Sequence, residues 1–235
     1  MENEKRKDWL NLLNRMQGAL DFALHSLRKK ICEGAPEKFT FISACQINDA
    51  LKGYLVLVAS DAGRSASPLL VRPILEAAFR LLAVKADPAF ITRIAAYEHD
   101  EDLKLIRTNE MPNEGEAFGA MAANWNEFEK AYCAKYPHHV FDGTKTNTFE
   151  IAEKAGLEKV YNAHYRVFCR FTHAALRAGL KELNHASENA EPILTMLVGM
   201  AVEALHALGA EKGDYDEVQR MYGSLNARDF SAPTK

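Results

Sequence analysis

Four polar side chains in the segment YRVFCRFTHAALRAG, residues 165–179, could together bind an anion and move a proton. They are Arg166, Arg170, His173 and Arg177, named below the basic stripe. At 100° per residue they fall within a sector of about 60° around a helix axis. Guanidinium groups hold phosphate in a fixed geometry, and imidazole exchanges protons near neutral pH. The stripe therefore has the groups needed for metal-free cleavage of RNA.

The rest of this helix predicts how the stripe is positioned. The side opposite the stripe is apolar and is expected to pack into a core, through Tyr161, Tyr165, Phe168, Phe171, Ala175 and Leu176. An amphipathic helix of this kind also fits a simpler interpretation. In that interpretation the basic residues are only the solvated side of a surface helix.

The stripe resembles a known motif. Arg166, six intervening residues and His173 are similar to the arginine, four to six residues, histidine pattern of the HEPN superfamily. Members of that superfamily are helical bundles and are often metal-independent ribonucleases that act as dimers. The resemblance implies an RNA partner, a homodimer, His173 as general acid and base, and Arg166 and Arg170 as phosphate ligands. Val167 stands where active members often have a polar residue, and this departure concerns activity more than fold.

A second resemblance covers residues from about 40 to 210. The stretch VRPILEAAFRLLAV, followed later by Tyr165, seven intervening residues and His173, is similar to an uncharacterised bacterial all-helical family. That family has an arginine–glutamate helix and a late tyrosine–histidine helix, and no known activity. The resemblance implies that Arg72, Glu76, Tyr165 and His173 belong to one site.

The arginine–glutamate helix carries a line of three charged residues, Arg72, Glu76 and Arg80. Their spacing of i, i+4 and i+8 drifts by only about 80° around the axis of an otherwise apolar helix. The line could form a polar pocket between helices, with Glu76 orienting an arginine or the histidine. It could also be a solvent edge or a structural ion network. We expect Arg72 and Glu76 to be mostly buried and hydrogen-bonded to each other or to the 157–181 helix.

Apolar residues recur at spacings of three and four almost throughout, which predicts an all-α bundle. We expect one domain over residues 1–225 and a flexible tail over 226–235. Ser67 and Asp87 each precede a proline. Proline is common at the first position of a helix, so we expect both residues to be N-caps. The predicted helices, with a break near Gly156, span 4–31, 38–62, 68–86, 88–110, 114–135, 149–181, 191–211 and 214–223.

One long polar segment interrupts the helices, from Tyr136 to Thr148. It is the best candidate for a mobile loop, and we expect His138, His139 and Asp142 within it to be solvated.

Charge and composition restrict the partners. The 29 basic and 32 acidic residues give a net charge of −3, so RNA needs a local basic patch, and DNA is not indicated. The most apolar stretch, 192–202, is shorter than the roughly 20 residues of a membrane span, and no signal peptide is recognisable. We therefore expect a cytoplasmic protein that does not enter membranes.

Metal and cofactor chemistry is not predicted. Two glutamate–histidine spacings of i, i+3, at Glu182–His185 and Glu203–His206, are about as frequent as chance gives. Glu203 and His206 could be a buried, hydrogen-bonded core pair, or they could support the polar pocket of Arg72 and Glu76 from behind. The four cysteines form no CxxC pair, and phosphate-binding loops and dinucleotide fingerprints are missing. Two other functions stay open: a non-catalytic scaffold or interaction module, and a small-molecule-binding bundle that uses Arg72 and Glu76.

Overall fold

The structure is a computed structural model that describes residues 2–27, 35–60, 66–108, 114–172, 190–210 and 220. Of these residues 87% are helical and none lies in a strand, which confirms the all-α prediction. The predicted helix at 214–223 and the tail at 226–235 lie outside the described residues, apart from residue 220.

The described helices follow the predicted order. Their bounds are α1 Glu2–Leu27, α2 Ala35–Ala59, α3 Pro68–Ala86, a 3₁₀ turn Pro88–Phe90, α4 Ile91–Thr108, α5 Glu114–Lys135, α6 Thr148–Lys154, α7 Glu158–Val160, a π-helical turn Tyr161–Tyr165, α8 Arg166–Thr172 and α9 Ala190–Ala207.

Helix α3 lies at the centre of the protein. It packs against α2 and α9 on one side and against α6 and α8 on the other, and α1 completes the main bundle by contacting α2 and α9. Its apolar face, including Val71, Ile74 and Phe79, is buried, as the 3.6-residue period requires. Helix α2 comes very close at Gly53, where a Cβ atom would stand only 2.9 Å from Leu70 Cδ1. Any movement of α3 therefore affects most of the core.

The predicted N-caps, Ser67 and Asp87, lie at the two ends of α3. Pro68 is the first residue of the helix, as predicted, since a proline there loses no intrahelical hydrogen bond. The expected cap at Ser67 was wrong, because Ser67 is itself in the α conformation and its side chain makes no capping bond. At the other end, Asp87 accepts a hydrogen bond from the Ala89 N–H and begins the 3₁₀ turn.

The predicted break near Gly156 is confirmed. Gly156 has φ of +71°, in the left-handed region that glycine adopts without steric cost, and α6 ends just before it at Lys154. The chain then re-enters a helix at Glu158 and passes through the π-helical turn into α8. The segment of the basic stripe therefore starts from its own N-terminus and does not continue α6.

The polar segment after α5 makes tertiary contacts, and the expectation of a solvated side chain was wrong for His139, whereas the Asp142 side chain is 47% exposed. His139 Nδ1 lies 2.9 Å from the Tyr132 hydroxyl, and its ring stacks on Tyr136. The Asp142 N–H donates to Thr92 Oγ1 over 3.3 Å. His138 is exposed, as expected.

Helices α4 and α5 form a hairpin that extends from the main bundle. Helix α5 packs mainly against α4, and Tyr132 is its one buried residue among those whose side chains are described. Within the described part of the chain, every helix is too short or too polar to cross a membrane.

The far-ultraviolet circular dichroism spectrum should show strong minima at 208 and 222 nm, because helices make up nearly all of the described chain. Deconvolution of a spectrum from the purified full chain should give little strand. A strand content above about one tenth would contradict the fold.

Candidate functional site

The carboxylate of Glu76 connects α3 to the segment of the basic stripe. Glu76 Oε1 accepts a hydrogen bond from Arg72 Nε over 2.9 Å and another from the Tyr165 hydroxyl over 2.6 Å. Arg72 and Glu76 are one turn apart on α3, whereas Tyr165 comes from the end of the π-helical turn. The expectation that Arg72 and Glu76 bond to each other or to the later helix is confirmed on both counts. We name these three residues the Glu76 cluster.

The Glu76 cluster is mostly removed from water. The side chains of Arg72 and Glu76 retain 26% and 28% of their exposure, and Tyr165 is buried. Burial raises the pKa of Tyr165 strongly, and the hydrogen bond to Glu76 and the negative charge of Glu76 raise it further. For Arg72, burial works to lower the pKa, but the hydrogen bond and charge of Glu76 outweigh it and the pKa rises. The cluster is therefore a cation, a carboxylate and a neutral phenol.

Aromatic rings pack around the Glu76 cluster. The Tyr165 ring stacks on Tyr161 at a centroid distance of 4.9 Å and meets Phe79 edge-on at 5.7 Å. The guanidinium of Arg72 lies 5.9 Å from the centre of the Tyr165 ring. These contacts fix the orientation of the phenol, because an aromatic ring held on several sides has few rotamers open to it.

A π-helical turn directly precedes the helix that carries the first residue of the basic stripe. The Arg166 N–H donates to the Tyr161 carbonyl, five residues earlier, which widens the helix by one residue in this turn. Tyr165 and Phe168 are buried, whereas Arg166 is exposed. The first residue of the basic stripe thus lies on the solvent side, as the amphipathic pattern predicted.

The remaining predicted site residues do not join the Glu76 cluster in the described structure. One of them forms an ion pair elsewhere, and the others are described in part or not at all. Arg80 is held by Glu98, with Nη1 2.9 Å from Oε1. Arg170 is described as a helical residue of α8, without its side chain. His173 and Arg177 lie outside the described residues. Arg72, Glu76 and Tyr165 are therefore the predicted residues that the structure brings together.

Two features of this region were missed from the sequence. His164, two residues before Arg166, is half-buried, and burial lowers its pKa, so it favours the neutral form. The side chains of Thr148 and Cys169 lie close enough to the Tyr165 hydroxyl to affect its pKa. Thr148 and Tyr165 lie on opposite sides of the helix break at Gly156, so their contact depends on how the chain turns at that break. No periodicity in the sequence could indicate that contact.

Carboxylates that could be considered as metal ligands are paired with cations instead. Glu76 contacts Arg72, Glu98 contacts Arg80, and Glu203 lies 3.4 Å from Lys85 Nζ. The expected buried pair of Glu203 and His206 was wrong, because His206 is exposed and Glu203 faces Lys85. Across the described ranges, no group of three histidine, cysteine, aspartate or glutamate side chains is arranged to hold a metal ion.

A double-mutant cycle on Glu76→Ala and Tyr165→Phe should show strong coupling. Each single change should lower the free energy of unfolding by about 1–3 kcal/mol, since a half-buried charged hydrogen bond is lost. The two effects should overlap by about 1–2 kcal/mol, as measured by urea unfolding at pH 7.

The matched control is Tyr161→Phe, because the Tyr161 ring stacks on Tyr165 and no hydrogen bond joins its hydroxyl to Glu76. Tyr161→Phe combined with Glu76→Ala should give additive effects. Additivity in the Tyr165 cycle as well would show that the 2.6 Å bond contributes nothing to stability.

The central part of the chain matches a protein-family model. No curated protein and no solved structure matches the chain. Residues 40–191 match a family described as "Family of unknown function (DUF5677)". The matched span is well over half of the chain and includes the Glu76 cluster and the segment from Arg166 to His173. This agrees with the resemblance to an uncharacterised family, and the chain belongs to DUF5677.

Proposed function

We propose that the protein binds single-stranded RNA through the basic stripe and cleaves it without a metal ion. The observation that supports this proposal is the exposure of Arg166 on a helix whose opposite side, at Tyr165 and Phe168, is anchored in the core. An exposed guanidinium on a fixed helix is a suitable ligand for a phosphate group.

The proposed chemistry uses the histidine of the stripe. His173 accepts the proton of a ribose 2′-hydroxyl, and the resulting oxygen attacks the adjacent phosphorus. The bond from phosphorus to the 5′-oxygen breaks, and that oxygen receives a proton from an imidazolium. Arg166 and Arg170 stabilise the negative charge that builds up on the phosphate oxygens. The products are a 2′,3′-cyclic phosphate and a 5′-hydroxyl.

A homodimer is part of this proposal. One imidazole cannot be a free base and an imidazolium at the same moment, and a two-fold pair of stripes supplies one of each. The pair also doubles the local positive charge. This matters in a protein whose net charge is −3, because the chain as a whole does not attract a polyanion.

A non-catalytic helical scaffold is the second candidate, and one observation favours it. The Glu76 carboxylate is engaged by both Arg72 and Tyr165, as in a structural network that holds two helices together. The same engagement weighs against a small-molecule site on Arg72 and Glu76, because a ligand would have to displace existing hydrogen bonds.

Purified protein should cut a labelled single-stranded RNA in the presence of EDTA, since the proposed chemistry requires no metal. His173→Ala should reduce the rate at least about 100-fold, which is the usual contribution of a general base. Arg166→Ala should weaken RNA binding and make it less sensitive to salt, since one phosphate contact is lost. Gel assays of cleavage and fluorescence anisotropy across a salt series measure both effects.

The controls are His138→Ala and Lys130→Ala, which remove an exposed imidazole and an exposed cation away from the stripe. Both should behave like the unaltered protein. Cutting that survives His173→Ala would remove the catalytic role of that residue. Failure of the unaltered protein to bind RNA at low salt would leave the scaffold as the better function.

A further inference from the structure

The α4–α5 hairpin contains an apolar groove whose described lining includes neither the Glu76 cluster nor Arg166. Its volume is about 440 Å³, within the range of small-molecule sites. Most of its lining is apolar or aromatic, including Ile106, Met121, Trp125 and Phe128. Leu105, on the edge of the groove, is 59% exposed. An exposed leucine beside a tryptophan and a phenylalanine is an apolar surface that contacts water.

The aromatic side chains of the groove are held in place. His99 stacks on Trp125 at a centroid distance of 5.1 Å, and Phe141 packs edge-on against Trp125 at 5.6 Å. Phe128 lies beside both Trp125 and Phe141, with centroids 6.0 Å away in each case. A ligand therefore meets a fixed aromatic wall and does not have to order it on binding.

The groove has a negative electrostatic character. Among the lining residues that the structure describes, Asp102 is the one carboxylate, and none is a lysine or an arginine. The Asp102 side chain is exposed, and no ion pair to it is found in the described part of the chain. By contrast, the nearby Lys104 binds Asp100 and Glu101. The carboxylate at the groove is thus available to a cation from solution.

A larger cleft, of about 740 Å³, does not have this property. It lies between the 3₁₀ turn, α4 and α6, and both basic side chains of its described lining pair with carboxylates of the same lining. Arg93 binds Glu150 over 2.8 Å, and Lys154 binds Asp87 over 2.7 Å. These pairs hold α6 against α4 and the 3₁₀ turn, so the cleft is explained by the fold.

We propose that the α4–α5 groove binds an organic cation that carries an apolar or aromatic substituent. Because His99 covers one face of Trp125, the opposite face of that ring and the ring of Phe128 attract an ammonium group through cation–π interaction, and the Asp102 carboxylate adds a negative charge. The apolar substituent fills the space near Leu105 and Met121. This site goes beyond the proposed action on RNA and does not depend on it, because the described residues that line the groove all belong to α4 and α5.

Benzyltrimethylammonium chloride is the probe, titrated into the full-length protein with tryptophan emission as the readout. The sequence has two tryptophans, and Trp9 is fully buried in the core, so an effect of the probe reports on Trp125. Emission should change saturably with a millimolar or lower dissociation constant. Asp102→Asn should weaken binding about five- to tenfold while keeping the side chain's size.

Two controls separate a specific site from general apolar binding. Sodium 3-phenylpropionate has a similar ring with the opposite charge and should bind at least tenfold more weakly. Glu127→Gln removes an exposed carboxylate of α5 outside the lining and should leave the affinity unchanged. Unsaturable binding of the cation, equal binding of the two compounds, or full affinity in Asp102→Asn would overturn the proposal.

Discussion

The hydrogen bonds to one oxygen of Glu76 are the constraint on which the position of α8 and of its first residue, Arg166, depends. Glu76 lies on α3, the helix that contacts α2, α6, α8 and α9, so the carboxylate is fixed by the whole core. Tyr165 donates to this carboxylate and in turn fixes the end of the π-helical turn. Arg72 neutralises the charge that would otherwise make a half-buried carboxylate costly. The three side chains can be buried together because Arg72 and Tyr165 both donate hydrogen bonds to the Glu76 carboxylate.

The π-helical turn ends at Tyr165, and the ordinary helical step of about 100° places Tyr165 and the first residue of the stripe on different sides of the helix. Tyr165 and Arg166 are consecutive, yet one is buried and the other exposed. The extra residue in the turn is unfavourable for a helix in isolation, and such turns persist where surrounding contacts stabilise them. Here the stacked rings of Tyr161 and Tyr165 and the bond to Glu76 supply those contacts.

Local features of the sequence were sufficient to predict the helices. They were not sufficient to predict the contacts between distant parts of the chain. The apolar period of 3.6 residues located α1 to α5, because burial of one face is what stabilises helices. The break at Gly156 was predictable because a glycine is the residue that adopts φ of +71° without strain. The contacts of His139 and Asp142 were missed, since they join residues from separate elements. The pairing of Tyr165 with Glu76 was anticipated as one polar site, but its geometry depends on a π-helical turn without a sequence signature.

The geometry of the Glu76 cluster also restricts which groups can orient a nearby imidazole. One hypothesis from the sequence was that Glu76 orients an arginine or the histidine of the stripe. Glu76 does orient an arginine, Arg72, but its other hydrogen bond goes to Tyr165, a phenol kept neutral by burial. Orienting an imidazole as well would require Glu76 to give up one of these partners or to use its second oxygen. The structural role of Glu76 and the proposed catalytic role of His173 are therefore separable, and the stability of the cluster does not imply activity of the stripe.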